Sequence, residues 1–161
     1  MVTQERLKEL FDYQDGNLVW KVARGRLAKA GQVAGCFDEK LGYIRIRTDG
    51  KSYLLHRLIF MYHHGFVSDV IDHINGNTLD NRIENLRVAT KQQNCLNRET
   101  NRNNSSGCKN VSWHKRKQIW CVSISVNGKK KSFGGYDDLE LADLVAQEAR
   151  DKYYKEFSRK N

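Results

Sequence analysis

The 161-residue sequence is poor in cysteine and has no closely spaced cysteine pair. Its four cysteines are scattered at positions 36, 95, 108 and 121, so the Cys-x-x-Cys spacing typical of zinc sites is missing. No apolar run approaches the roughly 18 residues of a membrane helix, and residues 1–6 lack the apolar core of a signal peptide. We therefore expect reduced thiols, no membrane partner, and one domain or two small ones in a soluble intracellular protein.

Acidic residues are nearly absent between residues 98 and 131. This segment contains nine lysines and arginines but only one acid, Glu99, so it carries most of the chain's formal net charge of +9. Such a concentration of basic side chains attracts nucleic-acid phosphates whatever the base sequence. The charge predicts double-stranded DNA as the partner, and a solvated basic face is the alternative.

The most informative segment runs from residue 71 to residue 94. Asp72 and His73 close one apolar run, Asn85 follows twelve positions after the histidine, and Asn94 follows twenty-one positions after it. Turn-forming residues dominate between residues 74 and 84, whereas residues 85–88 return to the alternation of a strand. Thr90 and Gln93 then form a capping-box pattern, which predicts a helix start. The segment is predicted to fold as strand, loop, strand and helix.

The polar residues of this segment suit metal-assisted hydrolysis of a phosphodiester bond. Asp72 and Asn94 offer the oxygen ligands that Mg²⁺ prefers, and so few protein ligands leave room for water and a substrate phosphate. Histidine has an ordinary pKa of about 6.5, so His73 is able to stay neutral at cellular pH and to accept a proton from water. We expect the three side chains to face one another.

These residues resemble the HNH endonucleases that fold as a ββα-metal unit, specifically the phage and intron-homing subgroup whose third motif residue is asparagine. The resemblance is carried by Ile71-Asp72-His73-Ile74-Asn75-Gly76-Asn77 and by Asp80-Asn81-Arg82-Ile83-Glu84-Asn85-Leu86-Arg87. It implies that His73 is the general base and that Asn85 braces the loop that orients it. It also implies that Asp72 and Asn94 bind one divalent metal, Mg²⁺ or alternatively Mn²⁺.

Simpler interpretations of the same residues stay open. Asn-Gly is the commonest short-hairpin signal, so Asp72-His73 followed by Asn75-Gly76 also suits a hairpin turn with a solvated histidine. Asn81 is the rival of Asn85 for the bracing role, because both lie in the same asparagine-rich turn. Asn75 and Asn77 are expected to shape the turn rather than to bind metal.

A second module follows a stretch without hydrophobic residues, interpreted as a linker at residues 99–107. Alternating patterns predict strands at residues 110–113, 119–126 and 129–134, with an Asn127-Gly128 turn between the last two. Asp137 with Glu140 marks a helix start. An apolar stripe that covers the sheet is predicted at Leu141, Val145, Ala149 and Tyr153.

This module, at residues 108–158, resembles the ethylene-response-factor type of DNA-binding domain. The resemblance is carried by Gly107-Cys108-Lys109-Asn110-Val111-Ser112-Trp113, Trp120-x-Val122-x-Ile124 and Phe133-Gly134-Gly135-Tyr136. It implies a sheet lying in the major groove, with candidate DNA contacts at Lys109, Trp113, Lys115, Arg116, Lys117, Lys129 and Lys130. Ser112 and Ser125 replace arginines of plant members, so phosphate positioning is implied rather than plant-type base readout. Trp120 is expected to pack in the core, whereas Trp113 suits either role.

The N-terminal third predicts a short helix near residues 7–11, strands at 17–22, 43–47 and 53–55, and turns at Asp15-Gly16 and Asp49-Gly50. Residues 56–62 resemble the helix that precedes the motif in the homing subgroup. His56, at its start, suits a phosphate contact, support of the site or a purely structural role.

Together these patterns predict an α+β fold. Residues 1–98 would form a small N-terminal sheet and a ββα-metal nuclease core, with the motif at 71–98, before a three-stranded antiparallel sheet packed on one helix. The predicted function is a metal-dependent, homing-type HNH DNA endonuclease that nicks DNA. We expect a monomer or weak dimer in the cytoplasm of a phage-infected bacterial host. The alternatives are a catalytically inactive DNA-binding regulator and a structural or packaging-associated phage protein.

Overall fold

The structure, a computed structural model, describes residues 2–26, 28–97, 100 and 103–157. The chain divides into two compact units, Met1–Lys91 and Gln92–Asn161. This division falls ahead of the domain boundary at residue 98 that the sequence suggested. In the ranges described, no helix is long and apolar enough to cross a membrane.

The first unit is built from short helices and antiparallel strands. In chain order they are α1 (Gln4–Leu10), β1 (Phe11–Gln14), β2 (Asn17–Trp20), β3 (Cys36–Asp38), β4 (Tyr43–Thr48), β5 (Lys51–Leu54), α2 (Leu55–His64), β6 (Ile71–His73) and β7 (Leu86–Val88). Strand β1 pairs with β2, β4 pairs with both β3 and β5, and β6 pairs with β7. Helix α3 (Lys91–Leu96) follows β7, so the predicted order of strand, loop, strand and helix is confirmed.

The two predicted Asp-Gly turns close hairpins of the first unit. Asp15 and Gly16 have φ angles of 42° and 81°, and Asp49 and Gly50 have φ angles of 47° and 75°. Left-handed backbone at both central positions is typical of the type I′ turn, whose twist matches that of the paired strands. At Gly16 a Cβ atom would also lie 2.8 Å from the backbone nitrogen of Arg82. The β1–β2 turn therefore packs directly against the loop that precedes β7.

Helix α2 is anchored in the core of the first unit. Its buried Leu58 and Ile59 pack with residues from α1 and the surrounding strands, including Leu7, Phe11, Leu18, Ile46 and Leu86. Burying each such side chain contributes about 1.5–3 kcal/mol. The helix ends at Gly65, whose left-handed φ of 76° lets its amide donate to the Met61 carbonyl. Residues in the first turn of α2 are therefore held firmly against the sheet.

The second unit is a three-stranded antiparallel sheet covered by one long helix. Its elements are β8 (Val111–His114), β9 (Ile119–Val126), β10 (Lys129–Tyr136) and α4 (Leu139–Tyr154), and β9 is the central strand. Val111, Val122, Ala142 and Ala146 form the middle of its core. Together the two units confirm the predicted α+β class with its three-stranded sheet and helix.

Helix α4 begins and packs one residue away from the predicted positions. Its N-cap is Asp138 rather than Asp137, and the Asp138 carboxylate accepts from the Leu141 amide at 2.7 Å. The buried face consists of Ala142, Ala146, Ala149, Arg150 and Tyr154, whereas Leu141 is 48% exposed. Of the predicted stripe, Ala149 is buried, and Val145 and Tyr153 are half-buried against the core. Only Leu141 was wrong, because a spacing of four drifts around a helix of 3.6 residues per turn. Small alanines bring the helix close to the sheet.

Two residues of the stretch interpreted as a linker, Asn104 and Ser106, are hydrogen-bonded to residues at or just before the start of β8. Residues 99, 101 and 102 lie outside the described ranges. Beyond them, the Asn104 amide donates to the Cys108 carbonyl at 2.7 Å, and the Ser106 hydroxyl donates to the Val111 carbonyl at 2.9 Å. Asn110 follows with a φ of 69°, a backbone conformation that asparagine tolerates better than most residues.

Candidate active site

The central residues of the motif lie on the short strand pair β6–β7. The antiparallel register places Asp72 opposite Arg87 and His73 opposite Leu86. Asp72 and His73 are only 5% and 4% exposed. A hairpin turn with a solvated histidine is therefore excluded, because the histidine is buried before the turn begins.

Asn85 ties together the loop between the two strands. Its side-chain oxygen accepts from the Asn75 amide at 3.0 Å, and its Nδ2 donates to the Asn75 side chain and to the Asp80 carbonyl at 3.0 and 2.7 Å. These bonds join the first residues of the loop to its last ones. Asn77 shapes the same turn, because its side-chain oxygen accepts from the Leu79 amide.

Asn81 is the asparagine that contacts the histidine. Its Oδ1 lies 3.0 Å from His73 Nε2, and its Nδ2 donates to the Leu79 carbonyl at 3.2 Å. Since Nδ2 is used as a donor towards Leu79, Oδ1 faces the imidazole and accepts from it. The proton of neutral His73 therefore resides on Nε2, and its basic nitrogen is Nδ1. The two asparagines weighed against each other in the sequence thus make different contacts.

Two further aromatic rings surround His73. The His56 ring, from the first turn of α2, lies 4.9 Å from the His73 ring, centroid to centroid, in a T-shaped arrangement. The Tyr43 ring, from β4, lies 5.2 Å from His56 and 6.1 Å from His73. The sequence left three roles open for His56, and the structure places its ring against the ring of the motif histidine. Tyr43 gave no sequence signal, because only the fold brings β4 to this position.

Burial keeps both histidines neutral. It lowers the pKa of His73 below its ordinary value, although the Asn81 hydrogen bond and the Asp72 and Asp80 carboxylates oppose the change. Burial, and then the proximity of His73 and Arg57, lowers the pKa of His56 to about 3. At neutral pH the pair carries no positive charge, so His73 is available as a proton acceptor.

Arg87 fixes the carboxylate of Asp72. Its Nε and Nη2 atoms donate to the same oxygen, Oδ2, at 3.0 and 2.9 Å. The contact follows from the strand register, because residues directly opposite each other share one face of the pair. The sequence motif includes Arg87, but its spacing alone did not reveal this role.

Comparison with known proteins supports this arrangement. The sequence model described as HNH endonuclease matches residues 53–96, which include β6, β7 and α3. Protein 3.8 of Escherichia phage T7 is 36% identical over 81 residues, which are 50% of this chain and 67% of that protein. The chain belongs to the HNH endonuclease family. It is therefore a nuclease, of a family that acts on DNA and generally depends on a divalent metal.

A second relative of this HNH endonuclease comes from a prophage. The Bacillus subtilis (strain 168) protein named "SPbeta prophage-derived putative HNH homing endonuclease YosQ" is 35% identical over 63 residues. The aligned region is 36% of this chain and 35% of the relative, so the chain spans about a third of that protein's length. No solved structure matches the chain.

Asn94, the predicted second metal ligand, lies in α3 of this HNH endonuclease. The family match ends at residue 96 and so includes Asn94 within the motif. All of this helix except Lys91 belongs to the second compact unit. In that unit Leu96 packs near Ile124 and Tyr154. Among the residues described, no cluster of three His, Cys, Asp or Glu side chains is placed to hold a metal. The predicted metal site consists of one carboxylate, Asp72, and one amide, Asn94, so it would not form a cluster of that kind.

The seven candidate DNA contacts of the HNH endonuclease fall into three groups. Lys115, Arg116 and Lys117 are exposed in the turn between β8 and β9, and Lys129 and Lys130 are exposed at the start of β10. These two groups lie at opposite ends of β9, whose eight residues span roughly 24 Å at 3.4 Å per step.

The remaining two candidates have contacts within the second unit. Lys109 Nζ donates to the Leu96 carbonyl at 2.7 Å, which satisfies a carbonyl at the end of α3. Trp113 stands opposite Trp120, with ring centroids 4.8 Å apart, and Trp120 packs against the core. The packing role expected of Trp120 is therefore confirmed.

Proposed function

We propose that this HNH endonuclease hydrolyses phosphodiester bonds of double-stranded DNA with His73 as general base, in a reaction that requires a divalent metal. The main support for this proposal is the contact between Asn81 and His73. A neutral, buried imidazole whose Nε2 donates to Asn81 presents Nδ1 as its basic nitrogen. This is the protonation state that a general base needs at neutral pH.

The chemical step follows from that assignment. Nδ1 of His73 takes a proton from a water molecule while the water oxygen forms a bond to phosphorus. The bond from phosphorus to the 3′ oxygen breaks, and that oxygen leaves with the displaced electron pair. After protonation of the leaving oxygen, the products carry 5′-phosphate and 3′-hydroxyl ends. Asn85 contributes by holding the loop that carries Asn81, through its bonds to Asn75 and Asp80.

The residues at the site fit a hard divalent metal. Asp72 provides a carboxylate beside the base, and carboxylate and amide oxygens are the donors that Mg²⁺ prefers, with Mn²⁺ as the alternative. When bound, such a metal stabilises the charge that develops on the phosphate and on the leaving oxygen. The expectation that Asn94 is the second ligand rests on sequence spacing and on its place within the family match, and it stays a prediction.

We also propose that the second unit is a DNA-binding domain of the ethylene-response-factor type. The sheet face opposite α4 carries small side chains in register, with Ser112 beside Cys121 and Ser123 beside Ser132. Small side chains allow close approach to a groove, and basic groups at both ends of β9 suit contacts with phosphates. The small side chains at these four positions favour backbone positioning over extensive base readout.

The resemblance to homing proteins supports a homing-type enzyme that nicks one strand per engagement. A single base and a single metal act on one phosphodiester bond at a time. Cleavage of both strands then requires a second engagement or a second copy of the chain.

The test is cleavage of supercoiled plasmid by the wild type and His73→Ala, with Mg²⁺, Mn²⁺ or EDTA. We expect nicked circles with the wild type and either metal, and none with EDTA or with the variant. His64→Ala removes an exposed histidine from α2 and serves as the control with wild-type cleavage. Metal-dependent nicking that survives in His73→Ala would contradict the assigned base. A wild type that binds DNA but cleaves under no condition would favour the inactive-regulator alternative.

A further inference from the structure

His56 is the buried titratable side chain closest to the proposed base that the reaction does not use. It is 5% exposed and sits in the first turn of α2, a helix anchored in the core by Leu55, Leu58 and Ile59. The His56 and His73 rings are 4.9 Å apart with an interplanar angle of 67°. Aromatic rings favour this edge-to-face arrangement.

The hydrogen bond from Asn81 does not by itself determine the plane of the His73 ring. The imidazole plane turns about the Cβ–Cγ bond, and Nε2 lies closer to that axis than Nδ1 does, so the hydrogen bond at Nε2 restrains Nδ1 only in part. Rotamer preference does not prevent this rotation, because χ2 of histidine joins sp³ and sp² atoms and is broad. Rotation about this axis moves Nδ1, the nitrogen that takes the proton. Contacts to the ring itself restrict this rotation and so help to hold Nδ1 in one place.

We propose that His56 is a positioning residue, whose ring, supported by Tyr43, holds the plane of the His73 imidazole and so directs Nδ1 towards the attacking water. The proposal rests on the assignment of His73 as general base. Asn81, His56 and Tyr43 come from a loop, a helix and a strand, so the ring is held from three separate elements. Tyr43 contacts both histidine rings and completes the enclosure.

The charge of His56 fits a supporting role rather than a chemical one. Burial lowers its pKa to about 3, so the ring stays neutral while His73 cycles between neutral and protonated forms. A neutral neighbour adds no repulsion when His73 becomes cationic. The ring shape of His56, and not its nitrogens, is then what the reaction uses.

The test compares two substitutions that both fill the space of His56. His56→Phe keeps a ring without nitrogens, and His56→Leu keeps apolar volume without a ring. Plasmid nicking is measured at saturating metal to give kcat and KM for the wild type, both variants, and His64→Phe as a matched control on the same helix. Thermal unfolding establishes that each protein is folded.

We expect His56→Phe to retain kcat within about threefold and His56→Leu to lose at least tenfold in kcat with an unchanged KM, since a misplaced catalytic group costs rate rather than binding. His64→Phe should match the wild type. If the leucine variant keeps kcat within about twofold, or if the phenylalanine variant is as slow as the leucine variant, the proposal is wrong. The parallel His73→Ala reaction tests the general-base assignment separately from the role of His56. Cleavage that survives in His73→Ala rejects that assignment whatever the His56 variants do.

Discussion

Asp72 and Arg87 stand directly opposite each other in the β6–β7 pair, and two guanidinium hydrogen bonds end on one carboxylate oxygen. The arrangement fixes the orientation of the carboxylate that we propose as a metal ligand. It also keeps two charges together in a poorly hydrated place, with side-chain exposures of 5% and 14%. Removal of one partner is therefore expected to reduce the free energy of unfolding more here than at an exposed ion pair.

Arg87→Gln is expected to reduce the free energy of unfolding by about 3 kcal/mol, because it removes the guanidinium that pairs with the buried Asp72 carboxylate. Arg87→Lys should recover only part of this loss, since an ammonium does not reproduce the geometry of the guanidinium. Denaturant unfolding measures both. Arg6→Gln, which breaks exposed ion pairs with Glu9 and Asp49, is the control and should change stability much less. Equal losses in the two positions would refute the argument.

Asn81→Ala is expected to lower kcat about 100-fold with a small effect on KM. Without the Oδ1 acceptor, neutral His73 is no longer confined to the tautomer whose basic nitrogen is Nδ1, and general-base catalysis of this kind contributes about 10²–10⁴-fold. Asn77→Ala is the control, because it removes a side-chain amide of the same loop whose oxygen accepts from the Leu79 amide. Steady-state nicking kinetics should show the large rate loss in the first variant alone.

Gly16→Ala is expected to destabilise the protein more than Gly50→Ala. Both glycines follow an aspartate in left-handed turns, so both substitutions strain the backbone by about 1 kcal/mol. A Cβ at Gly16 also meets the Arg82 nitrogen at 2.8 Å, whereas a Cβ at Gly50 meets nothing within 4 Å. The difference between the two variants therefore measures the steric contact of a Gly16 Cβ with the Asn81–Arg82 backbone. Unfolding curves should show a loss of stability in both variants and a larger one for Gly16→Ala, and the nicking rate should fall only for Gly16→Ala. Identical behaviour of the pair would contradict the packing.

The metal-free protein is expected to lose stability as the pH falls from about 6.5 towards about 3. Burial lowers the pKa of folded His56 to about 3, whereas the unfolded chain has the ordinary value near 6.5. Within that window the unfolded state binds more protons, so acid favours unfolding, and above it His56 contributes no pH dependence. Unfolding in EDTA at several pH values should show a shallower slope for His56→Phe than for the wild type. His64→Phe controls for the loss of a histidine from the same helix.

The two exposed basic groups are expected to control the salt dependence of DNA binding. Replacing Lys115, Arg116 and Lys117 together by glutamine should reduce the slope of log K against log salt by about 2 to 3, because each phosphate contact contributes about 0.9. Replacing Lys129 and Lys130 should reduce it by about 2. Binding is measured with His73→Ala protein so that cleavage does not interfere. Lys109→Gln, whose ammonium is bonded to the Leu96 carbonyl, should lower stability rather than the salt slope.

The sequence predicted those features that depend on near neighbours in the chain. The Asp15-Gly16, Asp49-Gly50 and Asn127-Gly128 turns adopt the predicted left-handed conformations, because such turns are determined by two residues and the strands beside them. The cap of α4 was misplaced by one residue. Asp137 and Asp138 offer the same side chain, and only the geometry of the chain entering the helix selects Asp138.

By itself, the sequence determined the α+β class, the order of strand, loop, strand and helix in the HNH motif, and the spacing of its Asp72, His73 and Asn85. It missed β1 and β3 of the first unit. Local propensity, hydrophobic alternation and turn chemistry act over a few residues, so they are visible in one chain. The tertiary structure decided that Asn81 contacts His73, that Arg87 holds Asp72, and that Tyr43 and His56 enclose the base. Those contacts join residues from separate elements, and only the packing of α2 and β4 against the β6–β7 pair brings them within reach.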